Sequence, residues 1–162
     1  MTPLTKITID DGQLRQALEQ LAKSAADLTP AMRKISQTLA FEVDQNFIAE
    51  GRPRWKPLSE VTKQLRQGKK KKPAEKGFRI LQKSGQLATS ITSHHDDSSA
   101  TVGSGKEYAA IHQFGGQAGH GRKVSIPARP FLPLTADGKL TAATEQAVLD
   151  TVLEHLKAAA GL

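Results

Sequence analysis

The chain has 162 residues, of which 38% are hydrophobic, which suffices for one moderate core but not for two ordinary domains, so we expect a single domain over residues 1–162. Lys and Arg outnumber Asp and Glu by 23 to 16, and the net charge of +7 favours anionic partners. Cysteine is absent, which excludes disulfide frameworks, thiolate metal sites and cysteine nucleophiles, and fits folding in a reducing cytoplasm.

Two amphipathic helices are predicted near the start of the chain. Lys6 to Asp10 alternates apolar and polar residues, which indicates a short strand. Apolar residues then recur at helical spacing over 11–27, and a second stripe continues from a Thr29-Pro30 helix start to about Glu50. The short link between them predicts an antiparallel helix pair, whose shared apolar stripe needs a sheet or a partner to cover it.

A basic tract follows between Gly51 and Ser84, with twelve Lys and Arg against two Glu. A short helix is predicted over 59–67. The run from Gly68 to Pro73 has no apolar residue to bury, so a flexible basic loop is predicted at about 67–77. Phosphate neutralisation by this tract is possible, although the aromatic residues that single-strand binders interleave are nearly absent. A sequence-nonspecific nucleic-acid-binding protein that uses residues 52–83 is therefore the alternative function, and the candidate contacts are Lys69, Lys70, Lys71 and Lys72.

The second half predicts short strands and a final helix. Two strands over 91–95 and 100–103 form a hairpin across a polar turn, and a short helix over 107–114 ends at a glycine pair. A glycine-rich loop, a strand over 123–126 and a proline-punctuated extended segment over 127–133 precede a helix over 141–160. The expected fold class is α/β (α+β): a small, mostly antiparallel sheet packed against the two N-terminal helices and the C-terminal helix.

Two arrangements of polar residues are candidates for a chemical site. The run HHDD at 94–97, with His112 and His120, offers metal ligands, but neighbouring strand residues face opposite ways and Asp-Asp-Ser-Ser is ordinary turn chemistry. His112 and Glu107 lie about 140° apart on a helix and share no face, which disfavours an acid–base pair. We therefore expect no enzyme, no cofactor and no metal, with a metal-dependent hydrolase around the two adjacent histidines as a third class of function.

Two segments, Tyr108–Phe114 and Pro127–Leu134, favour either core packing or an interface. Ile111 and Phe114 are expected to be buried. Prolines keep the second segment out of a central sheet, and a rigid segment presents Arg and aromatic side chains at low entropic cost. The two interpretations weigh about equally, and the candidate interface residues are Tyr108, His112, Gln113, Phe114, Arg129 and Phe131.

Several motifs over about 55–132 resemble, in order and spacing, the phage virion morphogenesis family of Mu-like phages, and tail completion proteins of contractile-tailed phages look similar. The most specific are YAAIHQFGG at 108–116 and IPARPFL at 126–132; WxPL at 55–58, ILxxSGxLxxSI at 80–91 and VGS at 102–104 accompany them. The run Lys69–Lys72 departs from the family pattern.

This resemblance implies a structural protein that completes the tail or neck and enables head–tail joining, with no catalytic residues. The implied partners are further copies in a ring, expected to be a hexamer, and other phage tail or neck proteins, with DNA possible in the ring lumen. The implied location is the virion, at the tail or the head–tail interface, after assembly in the host cytoplasm. The sequence has no signal-peptide core and no apolar run long enough to span a membrane, so no membrane partner is expected.

Overall fold

The structure, a computed structural model, describes residues 12–67 and 78–161. The strand predicted at 6–10 and the basic loop predicted at about 67–77, including Lys69–Lys72, lie outside the described residues, except that Gln67 ends a helix. In the described part, no helix is long and apolar enough to cross a membrane. The helices and strands are α1 (Gly12–Ala26), α2 (Thr29–Ala49), α3 (Glu60–Gln67), β1 (Ile91–His95), β2 (Ala100–Ser104), α4 (Ala109–Phe114), β3 (Gly116–Ala118), β4 (Val124–Ile126) and α5 (Ala142–Ala160).

The predicted helices form close to their predicted bounds because their end signals are present. Pro30 lies in the first turn of α2, and Glu50 ends that helix in a left-handed conformation. The Ser59 hydroxyl accepts from the backbone N–H of Thr62 at the start of α3. Thr141 likewise caps α5. The mixed α/β class with small antiparallel sheets is confirmed.

The C-terminal helix joins the two N-terminal ones. The Ser24 hydroxyl of α1 lies 3.0 Å from Nε2 of His155, and the Thr38 hydroxyl of α2 lies 3.0 Å from that of Thr151, both on α5. Among the described residues, α1 therefore contacts chiefly α5 rather than α2, and the expected direct pairing of the two N-terminal helices is replaced by a three-helix arrangement.

The strands form two separate antiparallel ribbons. In the first, Ile91 lies opposite Ser104 on β2, and α2 covers both strands. Its turn closes on Asp96, whose carboxylate accepts from the backbone N–H and the hydroxyl of both Ser98 and Ser99, and these bonds lower the pKa of Asp96. The second ribbon pairs β3, inside the segment predicted to be a glycine-rich loop, with β4.

The core lies between α2, the chain that follows it, and the first ribbon. The ring of Phe47 meets Trp55 edge-on at 5.8 Å and stacks on Phe131 at 5.6 Å. This aromatic cluster joins three segments that are far apart in the sequence. The buried hydrophobic residues of the cluster are Val43, Phe47, Trp55, Ile80, Leu87, Ala109 and Phe131.

Candidate interaction surface

The proline-punctuated segment is held by side chains in place of a strand partner. Trp55 Nε1 donates to the carbonyl oxygen of Pro130 at 2.8 Å, and Asn46 Nδ2 donates to that of Phe131 at 3.0 Å. The Gln113 side-chain oxygen accepts from the backbone N–H groups of Phe131 at 3.0 Å and Leu132 at 2.9 Å. The polar groups of a buried segment that is not in a strand are thereby paired, as burial requires.

Arg129 fixes the same segment to the chain that follows α2. Its Nε donates to the carbonyl oxygen of Lys56 at 2.9 Å, and its Nη2 to that of Pro57 at 3.1 Å. Its backbone N–H donates to the carbonyl oxygen of His112 at 2.7 Å. Burial, and secondarily the like charge of Arg66, lower the pKa of Arg129.

The structure thus places half of the expected interface residues inside the molecule. Gln113 and Arg129 are buried, and Phe131 is only 1% exposed against Phe47. Each of these side chains has hydrogen-bond or packing partners within the chain. In this chain, the matching motifs WxPL, HQFGG and PARPFL contact one another, so these three residues stabilise the fold.

The glycines after α4 allow two chain segments to touch. Gly115 has φ of +74°, and a Cβ on it would lie 2.8 Å from the backbone nitrogen of Ala128 and 3.0 Å from the carbonyl oxygen of Ile126. A side chain there would be both strained and in collision with backbone. The close approach of α4 to the segment that follows β4 therefore depends on this glycine.

The other expected interface residues are accessible to different degrees. Phe114 was expected to be buried but is 70% exposed. Ala109 and Gln113 form the buried side of α4, and Phe114, which follows Gln113, lies away from that side. Ile111 is half-buried, as is His112, whereas Tyr108 is exposed and meets the His112 ring edge-on at 6.0 Å. Burial, and secondarily Arg129, lower the pKa of His112.

Sequence reasoning missed several exposed apolar residues on the helices. Leu149 and Leu153 on α5 lie roughly 150° around the helix from the side formed by Thr144, Thr151 and His155, which faces the molecule. The apolar spacing predicted a helix over 141–160 but not which side it buries, since the inward side of α5 consists of Thr, Ala, Val and His. The exposed sets are Leu149, Leu153 and Leu156 on α5, Val61 and Leu65 on α3, and Phe41 and Ile48 on α2.

One of the two adjacent histidines takes part in another contact. Nε2 of His95 accepts from Nε of Arg33 at 3.5 Å, and Asp96 is committed to its turn. Among the residues that the structure describes, no group of three or more His, Cys, Asp or Glu side chains is placed to hold a metal ion.

Comparison with known proteins adds an independent observation. A family model described as the phage virion morphogenesis family matches residues 9–157. The Mu-like prophage FluMu G protein 2 of Haemophilus influenzae is 45% identical over 133 residues, which cover 82% of this chain and 86% of that protein. The putative capsid assembly protein G of Escherichia phage Mu is 30% identical over 158 residues, which cover 94% of each chain. No solved structure matches the chain significantly.

Proposed function

We propose that this chain, which belongs to the phage virion morphogenesis family, completes the tail or neck of the particle and enables head–tail joining. Membership of this family, which is not an enzyme family, supports a structural role in virion assembly. The finer assignment to tail completion is our proposal, as is the location at the tail or the head–tail interface.

The exposed apolar side chains are the observation that carries this proposal. Leu65 is 78% exposed on α3 and Phe114 is 70% exposed on α4, while a stripe of leucines runs along the outer side of α5. Exposed apolar side chains that recur along a helix mark surfaces that other chains cover. Because these surfaces lie on different elements, they suit a head-to-tail contact that closes into a ring by rotation, for which we propose a hexamer.

We propose that the expected contact residues have two different roles in the ring. Tyr108, His112 and Phe114 are accessible and would meet a neighbouring copy or another tail or neck protein. Gln113, Arg129 and Phe131 would act from inside, by holding the backbone that presents them.

Light scattering during size exclusion tests the ring. The wild-type protein is expected to elute at several times the 17.4 kDa of one chain. Joint replacement of Leu149 and Leu153 by Lys should shift it towards the monomer without changing its circular dichroism. Joint replacement of Gln13 and Gln16 by Lys adds the same charge to the exposed side of α1 and is the control. A wild-type monomer at every concentration, or equal effects of both double variants, would count against the ring.

The nucleic-acid alternative rests on the concentration of charge in residues 52–83. We propose that Lys69–Lys72 meet the phosphates of DNA in the ring lumen. Such binding would be independent of sequence and would weaken steeply with salt, because phosphate neutralisation releases counterions. Replacing the four lysines by Ser should weaken duplex binding and flatten its salt dependence. Unchanged binding by that variant would remove these residues from the interaction.

A further inference from the structure

A pocket of about 620 Å³ lies beside the aromatic core, between α3, the chain on either side of it, and β4. Apolar side chains line part of it, including Leu58, Leu81, Leu87 and Ile126. Basic side chains line the rest: Lys56, Arg66, Lys83 and Arg129, together with His112. Among the described residues that line it there is no Asp or Glu, so an apolar surface and a concentration of positive charge meet in one concave site.

Arg129 brings to this pocket a buried charge that has no counter-ion in the part of the chain that the structure describes. The residue is 7% exposed, and its known partners are neutral carbonyl groups. Within the described part of the chain, no carboxylate lies at ion-pair distance from it, and the neighbouring charge that acts on it is the like charge of Arg66. Burying a charge without an opposite one is unfavourable, so an incoming anion would be stabilised here.

Arg52 is a useful comparison, because it is an arginine of the same fold whose role is structural. Its Nη2 lies 2.7 Å from the carboxylate of Glu42, and its Nε donates to Asn46 at 2.9 Å. The positive charge of Arg52 is thus paired within the chain, while the charge of Arg129 is available to a ligand in the pocket.

His112 supplies a second polar group that could form a hydrogen bond to a ligand. Its Nδ1 is buried and has no hydrogen-bond partner among the described residues, although the residue lines the pocket. Buried ring nitrogens are normally paired, since each unpaired one forfeits its hydrogen bond to water. A carboxylate oxygen could accept a hydrogen bond from this nitrogen in the tautomer that carries hydrogen there.

We propose that this pocket binds a carboxylate side chain on an extended segment of a partner protein, with apolar residues of that segment against Leu58, Leu81 and Leu87. The planar guanidinium of Arg129 or Arg66 suits a carboxylate, because two N–H groups can donate to its two oxygens. A phosphodiester backbone would match the charge but would leave the apolar wall uncovered, which favours a peptide over nucleic acid. The inference rests on the proposed function only in taking the partner to be another virion protein.

The test uses the full-length protein and defined probes. A fluorescein-labelled peptide with alternating Leu and Glu, blocked at both ends, is titrated and followed by anisotropy, beside the same peptide with Gln in place of Glu. The Glu peptide is expected to bind with Kd below about 1 mM, and the Gln peptide at least about tenfold more weakly. Absence of binding up to that concentration, or equal binding of both peptides, overturns the inference.

Variants locate the site. Joint replacement of Arg66 and Lys83 by Gln should weaken the Glu peptide about tenfold, while Lys23→Gln with Lys34→Gln removes the same charge from α1 and α2 and should leave affinity within about twofold. Lys83 is exposed, and Arg66 makes one exposed hydrogen bond, from its Nη1 to the carbonyl oxygen of Arg79. Thermal unfolding checks that this pair of replacements leaves the fold intact. Arg129→Gln is not used, because it would break two carbonyl contacts of a buried side chain. Equal weakening by both pairs would show a bulk charge effect and contradict a defined site.

Three further measurements separate the alternatives. The ring ¹⁵N resonances of His112 should move on addition of the Glu peptide, while those of exposed His120 should not; the reverse would place the peptide elsewhere. A 20-base-pair duplex that binds more tightly than the peptide, and loses affinity with the same Arg66 and Lys83 variant, would assign the pocket to nucleic acid instead. Intact peptide binding together with normal head–tail joining in a phage that lacks this protein would reject the proposed function and leave the pocket assignment standing.

Discussion

At the residue scale, Gln113 holds two backbone N–H groups that no strand pairs. Its side-chain oxygen accepts from Phe131 and Leu132 inside the core. Gln113→Leu keeps the approximate volume but leaves both donors buried and unpaired, so we expect a loss of about 2–4 kcal/mol in the free energy of unfolding. Urea unfolding followed by tryptophan fluorescence measures this loss, because Trp55 lies in the same cluster.

Gln37→Leu is the matched control for that substitution. Gln37 lies on the exposed side of α2, so the same change in side chain should alter stability by less than about 0.5 kcal/mol. A Gln113 variant as stable as this control would mean that the segment 127–132 does not depend on the amide.

Also at the residue scale, His112 should make stability depend on pH. Burial, and secondarily Arg129, hold its pKa below the usual value of 6.5, so the unfolded chain takes up the proton first as pH falls. The folded state is therefore favoured above about pH 6.5 and loses that advantage as pH drops through the lowered folded pKa. Urea midpoints between pH 7.5 and 5 should fall less steeply in His112→Gln than in wild type. A profile that keeps the wild-type slope would contradict the assignment, and His120→Gln controls for loss of an exposed imidazole.

At the element scale, the junction between α4 and the segment that follows β4 should tolerate no side chain at Gly115. Gly115→Ala places a Cβ 2.8 Å from a backbone nitrogen at a positive φ, so we expect a loss of about 3 kcal/mol or more. Gly138→Ala has a similar φ of +80° but meets nothing within 4 Å, and should cost only about 1–2 kcal/mol. Thermal unfolding of both variants gives the comparison, and similar losses in the two would show that the contact is not tight.

The helices were predictable because their signals are local. Thr29-Pro30 begins α2, and Thr141 begins α5, each ahead of a long apolar stripe. By contrast, β3 has only three residues, two of them Gly and Gln, so it carries no alternation, and its pairing with β4 depends on contacts made after folding. The position of α5 between α1 and α2 was also unpredictable, since a short link fixes order along the chain but not which helix covers another.

The sequence predicted which segments form the site, but it did not predict the role of each side chain. Prolines showed that 127–133 would stay out of a central sheet, which is confirmed. Whether Arg129 and Phe131 point outward depends on Asn46 and Trp55, which lie about eighty residues earlier in the sequence, and no local pattern encodes that. Phe114 was wrongly expected to be buried, because α4 is too short to show a clear apolar side.

At the scale of the whole molecule, basic charge and exposed apolar side chains occur together. The net charge of +7 opposes random association, while leucines on α5 and the apolar pair on α3 favour specific covered contacts. The same chain therefore suits a soluble subunit that becomes part of a larger particle. The central claim is that this particle needs the protein to join its head to its tail.

Electron microscopy of negatively stained lysates from a phage that lacks this protein tests that claim most directly. We predict complete heads and unjoined tails, with normal particles restored by the wild-type protein and not by the α5 variant in which Leu149 and Leu153 are Lys. Normal virions in the absence of the protein would contradict the account.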